Sequence, residues 1–376
     1  MVAAYPAVIA AVVALLASLY IHVQNDFGPL DIYAPPQVVN ASVEELFSDS
    51  YYHARALFRN QAQQAGATLF TLPLDGHAHL DLTIDVAVVE GAKDRVLLHV
   101  SGTHGVEGFA GSAIQSALLK RAAATGKSNA EMQQPTVIFV HALNPYGFSQ
   151  LRRFNEHNVD LNRNWLTPEQ FKAFAAQDPN ANGYMYFYDT INPSSIGGAW
   201  DSFWAKAVYH VATKGFTAVK RAVVSSTYRF PNATYYGGDK LEPSLVLLRD
   251  FLKQHVDLAG VRAFGMIDIH TGLGPAGVDT LLLSSPSDTS EVASVFGEDL
   301  HKVTPVHGGD TSNSVSDGYD STAGFVLDGI AELLPPQSRK SNMLLAQEFG
   351  TVPGVFIVKA TVEEGFAYRS ARGRRL

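Results

Sequence analysis

The chain has 376 residues, of which 46% are hydrophobic and 17% are charged, and this composition allows the large buried core of an α/β protein. The formal net charge is −8 at pH 7, which argues against nucleic acid as a partner because phosphate binding needs a basic face. The sequence contains no cysteine, which excludes disulfides, thiolate metal ligands and cysteine nucleophiles. A metal site would therefore have to use histidines and carboxylates.

Residues 1–23 contain no Lys, Arg, Asp or Glu, and as a helix they would be long enough to cross the core of a bilayer. We interpret this segment as an uncleaved signal anchor, with a cleaved signal peptide and a buried core helix as the alternatives. The following residues include Asp26 and Asp31 but no Lys or Arg before Arg55, which favours export of the remainder under the positive-inside rule. The sequence thus predicts a membrane-anchored protein with an exported main domain, or a secreted protein.

The rest of the chain divides into a linker, one globular domain and a short tail. Residues 24–41 contain Gly28, Pro29, Pro35 and Pro36 and lack periodicity, which is typical of a linker. Ser42-x-x-Glu45 has the pattern of a helix-capping box and marks the start of the domain, which we place at 42–366. The last residues, 367–376, form a basic tail that we interpret as solvated.

The periodicity of the domain alternates between strands and helices. Segments with strand character are Leu80–Val89, Arg95–Val100, Thr136–Leu143, Val261–Ile269, Asp279–Leu283 and Asn342–Phe349, and segments with helical character are Glu107–Lys120, Leu241–Val256 and Glu291–Val303. This order predicts an α/β fold with a mixed, largely parallel twisted sheet and helices on both faces. The segment 165–238 clusters aromatic residues, Gly, Pro and Asn, and is expected to leave the core sheet as a long excursion.

Four residues whose side chains can bind a ligand or take part in catalysis follow apolar stretches, at the points where the predicted strands end. They are His104, Asn144, His270 and Glu348. In open α/β sheets, ligands bind at the carboxyl ends of the strands. We therefore expect four strand ends, from four distant parts of the chain, to converge on one edge of the sheet.

Two histidine motifs have the donors that zinc prefers. His104-x-x-Glu107 spans a strand-to-helix turn and can direct an imidazole and a carboxylate at one point, although alone it also fits a structural histidine. His270 ends a buried strand, where it is placed for metal ligation, and Asp268 could orient its ring. The alternative for His270 is an ordinary capped strand end.

Two further motifs carry charge in positions that suit a binding site. The polar turn 160–164 contains Asn162 beside Arg163, which together offer donors for a carboxylate, and Arg153 lies upstream. A surface loop is the alternative for this stretch. Glu348 lies in a hydrophobic run, where a carboxylate must be paired or functional, and it could act as a general base. Its alternative is the solvent face of an edge strand.

In this order, the motifs resemble those of the zinc carboxypeptidase superfamily. The matching positions are His104/Glu107, Asn144–Phe148, Asp160–Asn164, Asp268/His270 and Glu348, within a resemblance that covers roughly residues 50–365. The spacing from Arg153 to Asn162 is more similar to bacterial peptidoglycan-peptide amidases and to the aspartoacylase-like branch than to pancreatic-type carboxypeptidases. With His-Thr-Gly-Leu-Gly-Pro at 270–275, the whole pattern is closest to an uncharacterised zinc-peptidase-like domain family.

The resemblance implies a fold, a cofactor and a reaction. It implies a zinc carboxypeptidase-like fold in which His104, Glu107 and His270 ligate one Zn²⁺ ion and leave a position for water. Glu348 would deprotonate that water and later protonate the leaving amine. The implied function is a zinc-dependent hydrolase that cleaves an amide bond next to a free carboxylate, in a small peptide or an N-acyl amino acid.

The resemblance also implies how the substrate is held. Asn162 and Arg163 would bind its carboxylate, and Arg153 would polarise the scissile carbonyl or stabilise the oxyanion. Zinc carboxypeptidases usually have a flap tyrosine, for which Tyr319 is the candidate because it is the one Tyr between His270 and Glu348.

Two other functional classes are compatible with parts of the sequence. The first is a non-catalytic, membrane-anchored binding module that retains the fold, against which the complete set of predicted ligands and base argues. The second is a serine esterase, but the sequence has no Gly-x-Ser-x-Gly elbow.

Overall fold

The computed structural model describes residues 44–126, 129–196, 202–274, 276–283, 292, 295–296, 302–305, 323–335 and 342–373. Several predicted features lie outside the described residues, namely the segment 1–23, the linker 24–41, Ser42, Tyr319 and most of the predicted helix 291–303. In the described part, no helix has both the length and the apolar character needed to cross a membrane.

The described part of the chain contains both strands and helices. The strands are β1 (Thr68–Pro73), β2 (Thr83–Val89), β3 (Ala92–Val100), β4 (Pro135–His141), β5 (Ala263–Gly272), β6 (Asp279–Leu283), β7 (Lys302–Pro305) and β8 (Met343–Gly350). The helices are α1 (Tyr51–Gln64), α2 (Gly108–Thr125), α3 (Pro145–Ser149), α4 (Pro168–Ala176), α5 (Tyr184–Ile191), α6 (Ser202–Lys214), α7 (Phe216–Val224), α8 (Pro243–His255), α9 (Val326–Leu333) and α10 (Gly354–Gly373).

Local sequence signals explain where several helices begin. The side chain of Ser50 accepts a hydrogen bond from the backbone N–H of His53 and thereby caps α1. Thr167 and Gln170 form a reciprocal capping box at the start of α4, with Pro168 in its first turn. Pro residues also lie in the first turns of α3 and α8, where the missing backbone N–H costs nothing.

The strands form one mixed sheet in the order β1-β2-β4-β3-β5-β8-β6-β7. The central strands β4, β3, β5 and β8 are parallel, β7 is parallel to β6, and the pairs β1/β2, β2/β4 and β6/β8 are antiparallel. The predicted mixed α/β sheet is therefore confirmed. Because the central strands are parallel, their carboxyl ends lie along one edge of the sheet.

Helices cover both faces of the sheet, as predicted. Val86 of β2 and Val140 of β4 pack in one cluster with residues of α8 and α9. Their neighbours in the chain, Ala87 and Phe139, pack in another cluster with residues of α1 and α2. Successive side chains of a strand point to opposite faces, so these two clusters are the two layers of the core.

Most predicted boundaries agree with the structure to within a few residues, and the differences have local causes. Leu80 closes a short 3₁₀ turn, so β2 begins at Thr83 instead of at Leu80. The predicted helix Glu291–Val303 is wrong at its end, because Lys302–Pro305 is a strand beside β6. The last helix, α10, continues through the predicted boundary between the domain and the tail at 366/367.

The segment 165–238 leaves the sheet, as expected. Among its described residues it contributes the helices α4, α5, α6 and α7 and no strand of the sheet. Its apolar residues form a separate cluster around Tyr184 and Phe203, which packs against Phe154 and against Val362 of α10. This cluster fixes the excursion over the loop that follows α3.

His141, at the end of β4, is fully buried and provides a test of the fold by acid unfolding. Its Nε2 lies 2.9 Å from Oγ of Ser112, and its ring stacks on Phe58 at a centroid distance of 4.6 Å. Burial lowers the pKa of His141 to about 4, so between pH 6.5 and 4 the unfolded chain binds a proton that the folded chain does not. The fold therefore loses stability as the pH falls through this window.

We expect the substitution His141→Gln to reduce the loss of unfolding free energy between pH 7 and pH 4.5 by about 2 kcal/mol. Urea titrations at both pH values measure this difference directly. The control is His53→Gln, which makes the same substitution at an exposed histidine. Equal acid sensitivity of the wild type and His141→Gln would contradict the prediction.

Candidate metal centre

The turn after β3 places His104 and Glu107 at the carboxyl edge of the sheet. Gly102 has φ +66°, a left-handed conformation that glycine adopts without strain. A Cβ atom on Gly105 would lie 2.0 Å from the carbonyl carbon of Gly147, so only glycine fits against this backbone. The tight turn continues into a short 3₁₀ helix that ends at Glu107, directly before α2.

Three side chains converge in this turn and on β5. Nδ1 of His104 lies 2.9 Å from Oε1 of Glu107, and Nδ1 of His270 lies 3.2 Å from Oε2 of Glu107. The two Nδ1 atoms are 3.2 Å apart. These separations are close to the roughly 3.3 Å expected between two ligand atoms that each lie about 2.05 Å from one tetrahedral zinc ion.

The opposite nitrogen of each ring faces a second carboxylate. Nε2 of His104 is 3.2 Å from Oδ1 of Asp160, and Nε2 of His270 is 3.0 Å from Oδ2 of Asp268 in an off-axis contact. Thr103 donates a hydrogen bond of 2.8 Å to Asp268 and holds that carboxylate in place. The contacts of the two rings with Asp160 and Asp268 favour a proton on Nε2 of each histidine. Each Nδ1 lone pair is then available to bind a metal.

The charges in the cluster favour a cation between the three side chains. Burial opposes ionisation of Glu107, but His104 and His270 outweigh it and hold the pKa of Glu107 below its usual value. Burial also opposes protonation of His270, yet Asp268 and Glu107 hold its pKa well above the ordinary value. Two imidazoles and a carboxylate form a donor set that suits zinc, so the residues fit the predicted ion.

Glu348 lies beside this cluster on the neighbouring strand. β5 and β8 pair in register with His270 opposite Glu348, and Oε1 of Glu348 accepts a hydrogen bond of 3.0 Å from the backbone N–H of Leu273. Burial, followed by the negative charge of Glu107, raises the pKa of Glu348 to about 7. This environment poises a carboxylate for proton transfer near neutral pH, and the predicted edge-strand alternative does not apply because β8 lies between β5 and β6.

Arg153 connects the cluster to the polar turn at 160–164. Its Nε and Nη2 atoms both lie 3.0 Å from Oδ2 of Asp160, and its Nη1 lies 3.5 Å from Oε1 of Glu107. The Arg153 side chain is 19% exposed. Burial opposes its charge, but Asp160 and Glu107 outweigh this effect and raise the pKa of Arg153.

Asn162 and Arg163 lie in a short 3₁₀ turn and are both buried. Oδ1 of Asn162 accepts a hydrogen bond of 3.1 Å from the backbone N–H of Val326 at the start of α9. The Arg163 guanidinium lies over the ring of Phe325 at 5.1 Å. Burial lowers the pKa of Arg163, and Asp160 opposes this effect. Their predicted role as ligands of a substrate carboxylate stays a prediction.

The comparisons with known proteins place the chain in a family. Residues 47–375 match the family model described as a protein of unknown function (DUF2817). This chain belongs to the DUF2817 family. No curated protein matches it.

The DUF2817 chain is also similar to solved structures at low identity. With a candidate metallopeptidase from Shewanella denitrificans OS217 it shares 11% identity and a TM-score of 0.43, over 84% of this chain and 87% of that one. With carboxypeptidase A from Helicoverpa armigera it shares 12% identity and a TM-score of 0.43, over 86% of this chain and 72% of that one. With a candidate succinylglutamate desuccinylase/aspartoacylase from Shewanella frigidimarina NCIMB 400 it shares 15% identity and a TM-score of 0.36, over 82% of this chain and 72% of that one. The sequence motifs predicted a match to an uncharacterised family and a likeness to carboxypeptidase-like and aspartoacylase-like proteins. Both predictions are confirmed.

The structure of the DUF2817 chain adds contacts that the sequence did not predict. Asp160 was part of a recognised motif, but its contact with His104 spans 56 positions and has no local sequence signal. Thr103 supports Asp268 across 165 positions. The hydroxyl of Tyr228 donates to the backbone carbonyl of Arg163 at 2.7 Å and anchors this turn to the 165–238 excursion. The sequence offered one hint for Asp160, its position two residues before the Asn162-Arg163 pair.

We expect Asp160→Asn to weaken zinc binding by about 10- to 100-fold, because the carboxylate that orients the His104 ring is lost. Competition titrations of the metal-free protein with a zinc chelator measure the change. Asp239→Asn is the matched control, since Asp239 is exposed and should leave the affinity unchanged. Unaltered affinity in a folded Asp160→Asn protein would show that Asp160 does not support a metal ligand.

Proposed function

We propose that the DUF2817 chain is a zinc-dependent hydrolase that cleaves an amide bond next to a free carboxylate, in a small peptide or an N-acyl amino acid. One observation carries this proposal. The Nδ1 atoms of His104 and His270 meet the carboxylate of Glu107 within 3.2 Å, beside the buried carboxylate of Glu348. The proposed ligands and the proposed base thus lie together at the edge where α/β folds bind their substrates.

In this proposal His104, Glu107 and His270 hold one Zn²⁺ ion. The bound ion would polarise the scissile carbonyl and lower the pKa of a water molecule. Asp160 and Asp268 keep the two rings oriented, and the backbone N–H of Thr271 donates to Oε2 of Glu107 at 3.0 Å. The three ligands therefore need little rearrangement on binding the metal.

Glu348 is the proposed general base and acid. Its pKa of about 7 allows it to accept a proton from the attacking water and to return it to the leaving amine. The hydrogen bond from Leu273 fixes one carboxylate oxygen, so the other remains for this proton transfer. The carboxylate changes its protonation state twice in a cycle and ends the cycle as it began.

Arg153 is the proposed electrophilic group. Its partly exposed guanidinium lies near the ligand Glu107, and its contacts with Asp160 restrict its motion. A positive charge held in this position stabilises the negative charge that develops on the carbonyl oxygen during attack. Because the charge is positioned before the reaction, little reorganisation is needed in the transition state.

Asn162 and Arg163 are the proposed carboxylate-binding residues of this site. The charges of Asp160 and Arg153 both affect the pKa of Arg163, which supports a position near the proposed metal site. Its planar guanidinium can bind a carboxylate through two parallel hydrogen bonds, which a lysine cannot reproduce. This interaction would select substrates with a free carboxylate adjacent to the amide bond.

We expect Glu348→Gln to retain zinc and to lower kcat by about 10²- to 10⁴-fold, the usual contribution of a general acid–base group. Metal content by mass spectrometry and turnover of C-terminal peptide and N-acyl amino acid substrates are measured in parallel. Glu90→Gln serves as the control, because Glu90 is exposed at the end of β2. Zinc-free wild-type protein, or full activity in Glu348→Gln, would refute the proposed mechanism. Zinc binding without turnover of either substrate class would instead favour the binding module.

We expect Arg163→Lys to raise KM by about tenfold for a substrate with a free carboxylate, because the paired hydrogen bonds are lost. For the same substrate with the carboxylate amidated, wild type and variant should differ little. The control is Arg249→Lys, which alters a surface arginine paired with Asp250. An equal effect on both substrates would show that Arg163 does not bind the substrate carboxylate.

We also propose that residues 1–23 direct the catalytic domain across a membrane, either as an uncleaved anchor or as a cleaved signal. The support is the uncharged sequence of this segment and the absence of Lys and Arg up to Arg55. Fractionation of cells that produce the full chain, with N-terminal sequencing of the product, distinguishes the two forms.

A further inference from the structure

A second group of ligand-type side chains joins the loop between α3 and the turn at 160–164 to the residue that precedes α8. Atoms of Glu156, His157 and Glu242 that could each bind a metal lie within 4.8 Å of one another. Nδ1 of His157 is 2.5 Å from Oε2 of Glu242. None of these residues belongs to the cluster of His104, Glu107 and His270, so the group needs its own explanation.

An ion pair between His157 and Glu242 does not account for the burial of the neighbouring Glu156. It is only 7% exposed, and its Oε2 atom is buried without a hydrogen-bond partner among the residues that the structure describes. Burial, and the negative charge of nearby Glu242, raise the pKa of Glu156. A buried carboxylate without a partner is costly, and an added cation would remove that cost.

Glu242 and His157 complete a donor set that is open to solvent on one side. Glu242 is 2% exposed and directly precedes α8. The His157 side chain is 50% exposed, so an ion can reach the group from solvent without passing the first cluster.

We propose that Glu156, His157 and Glu242 bind a divalent transition-metal cation, with Zn²⁺ as the best match. One imidazole and two carboxylates suit this class of ion, whereas Mg²⁺ and Ca²⁺ prefer oxygen ligands alone. The ion would take the place of the direct contact between Nδ1 of His157 and Oε2 of Glu242. This site is additional to the one in the proposed function and shares no residue with it.

The position of the group indicates what a bound cation does. Asn155 donates to Oε2 of Glu242 at 2.7 Å, and its own Oδ1 accepts from the backbone N–H groups of His157 and Val159. The loop that carries Glu156 and His157 also carries Arg153 and Asp160. A cation would fasten this loop to the start of α8 and thereby stabilise the support of the first cluster.

The test is a zinc titration of the metal-free full chain by calorimetry and by mass spectrometry of the retained metal. We expect two equivalents of Zn²⁺ in the wild type and one in each of the variants Glu156→Gln and His157→Ala. His53→Ala is the matched control, since it removes a histidine from an exposed pair with Asp49 and should leave two equivalents. Millimolar Mg²⁺ should not compete for the second equivalent.

A second measurement separates this site from the first cluster. In His270→Ala, one equivalent of Zn²⁺ should remain and should raise the melting temperature, and adding His157→Ala should abolish both effects. One equivalent in the wild type that disappears in His270→Ala would overturn the inference and leave the proposed function intact. Two equivalents retained in both Glu156→Gln and His157→Ala would likewise overturn it. Zinc binding that is lost in His157→Ala but unchanged in His270→Ala would support this site and contradict the first.

Discussion

The parallel pairing of β3, β5 and β8 is the constraint on which the site depends. It brings strands from distant parts of the chain side by side, with their carboxyl ends at one edge of the sheet. The register of β5 and β8 sets His270 opposite Glu348, and residues in register on neighbouring strands point to the same face. The turn after β3 then adds His104 and Glu107 to the same edge.

The charges around the cluster form a balanced network instead of a set of separate pairs. Two imidazole nitrogens with lone pairs 3.2 Å apart need a proton or a cation between them. The carboxylates of Glu107, Asp160 and Asp268, which are at most 9% exposed, supply the compensating charge. Arg153 limits the excess of negative charge by contacting two of these carboxylates. Such a network perturbs several pKa values at once, as is typical of functional sites.

The loop from 151 to 164 connects the fold to this network. Asn158 donates to the backbone carbonyls of Pro231 and Ala233, and Asn164 donates to those of Gly237 and Lys240, so the long excursion after 165 holds the loop in place. The excursion therefore supports the site although it adds no strand to the sheet among its described residues. Contacts of this kind position side chains at a metal centre to within tenths of an ångström.

The sequence alone determined most strands of the sheet, the presence of helices on both of its faces, and the ordered motifs from His104 to Glu348. These features follow from local periodicity and from residue types that only a few kinds of site can use. Only the tertiary structure decided which nitrogen of each histidine faces the cluster, which carboxylate orients it, and that Asn162 hydrogen-bonds the start of α9. It also brought Glu242 next to Glu156 and His157. Such contacts join residues that are far apart in the chain, and they depend on distances and side-chain directions that a linear pattern does not contain.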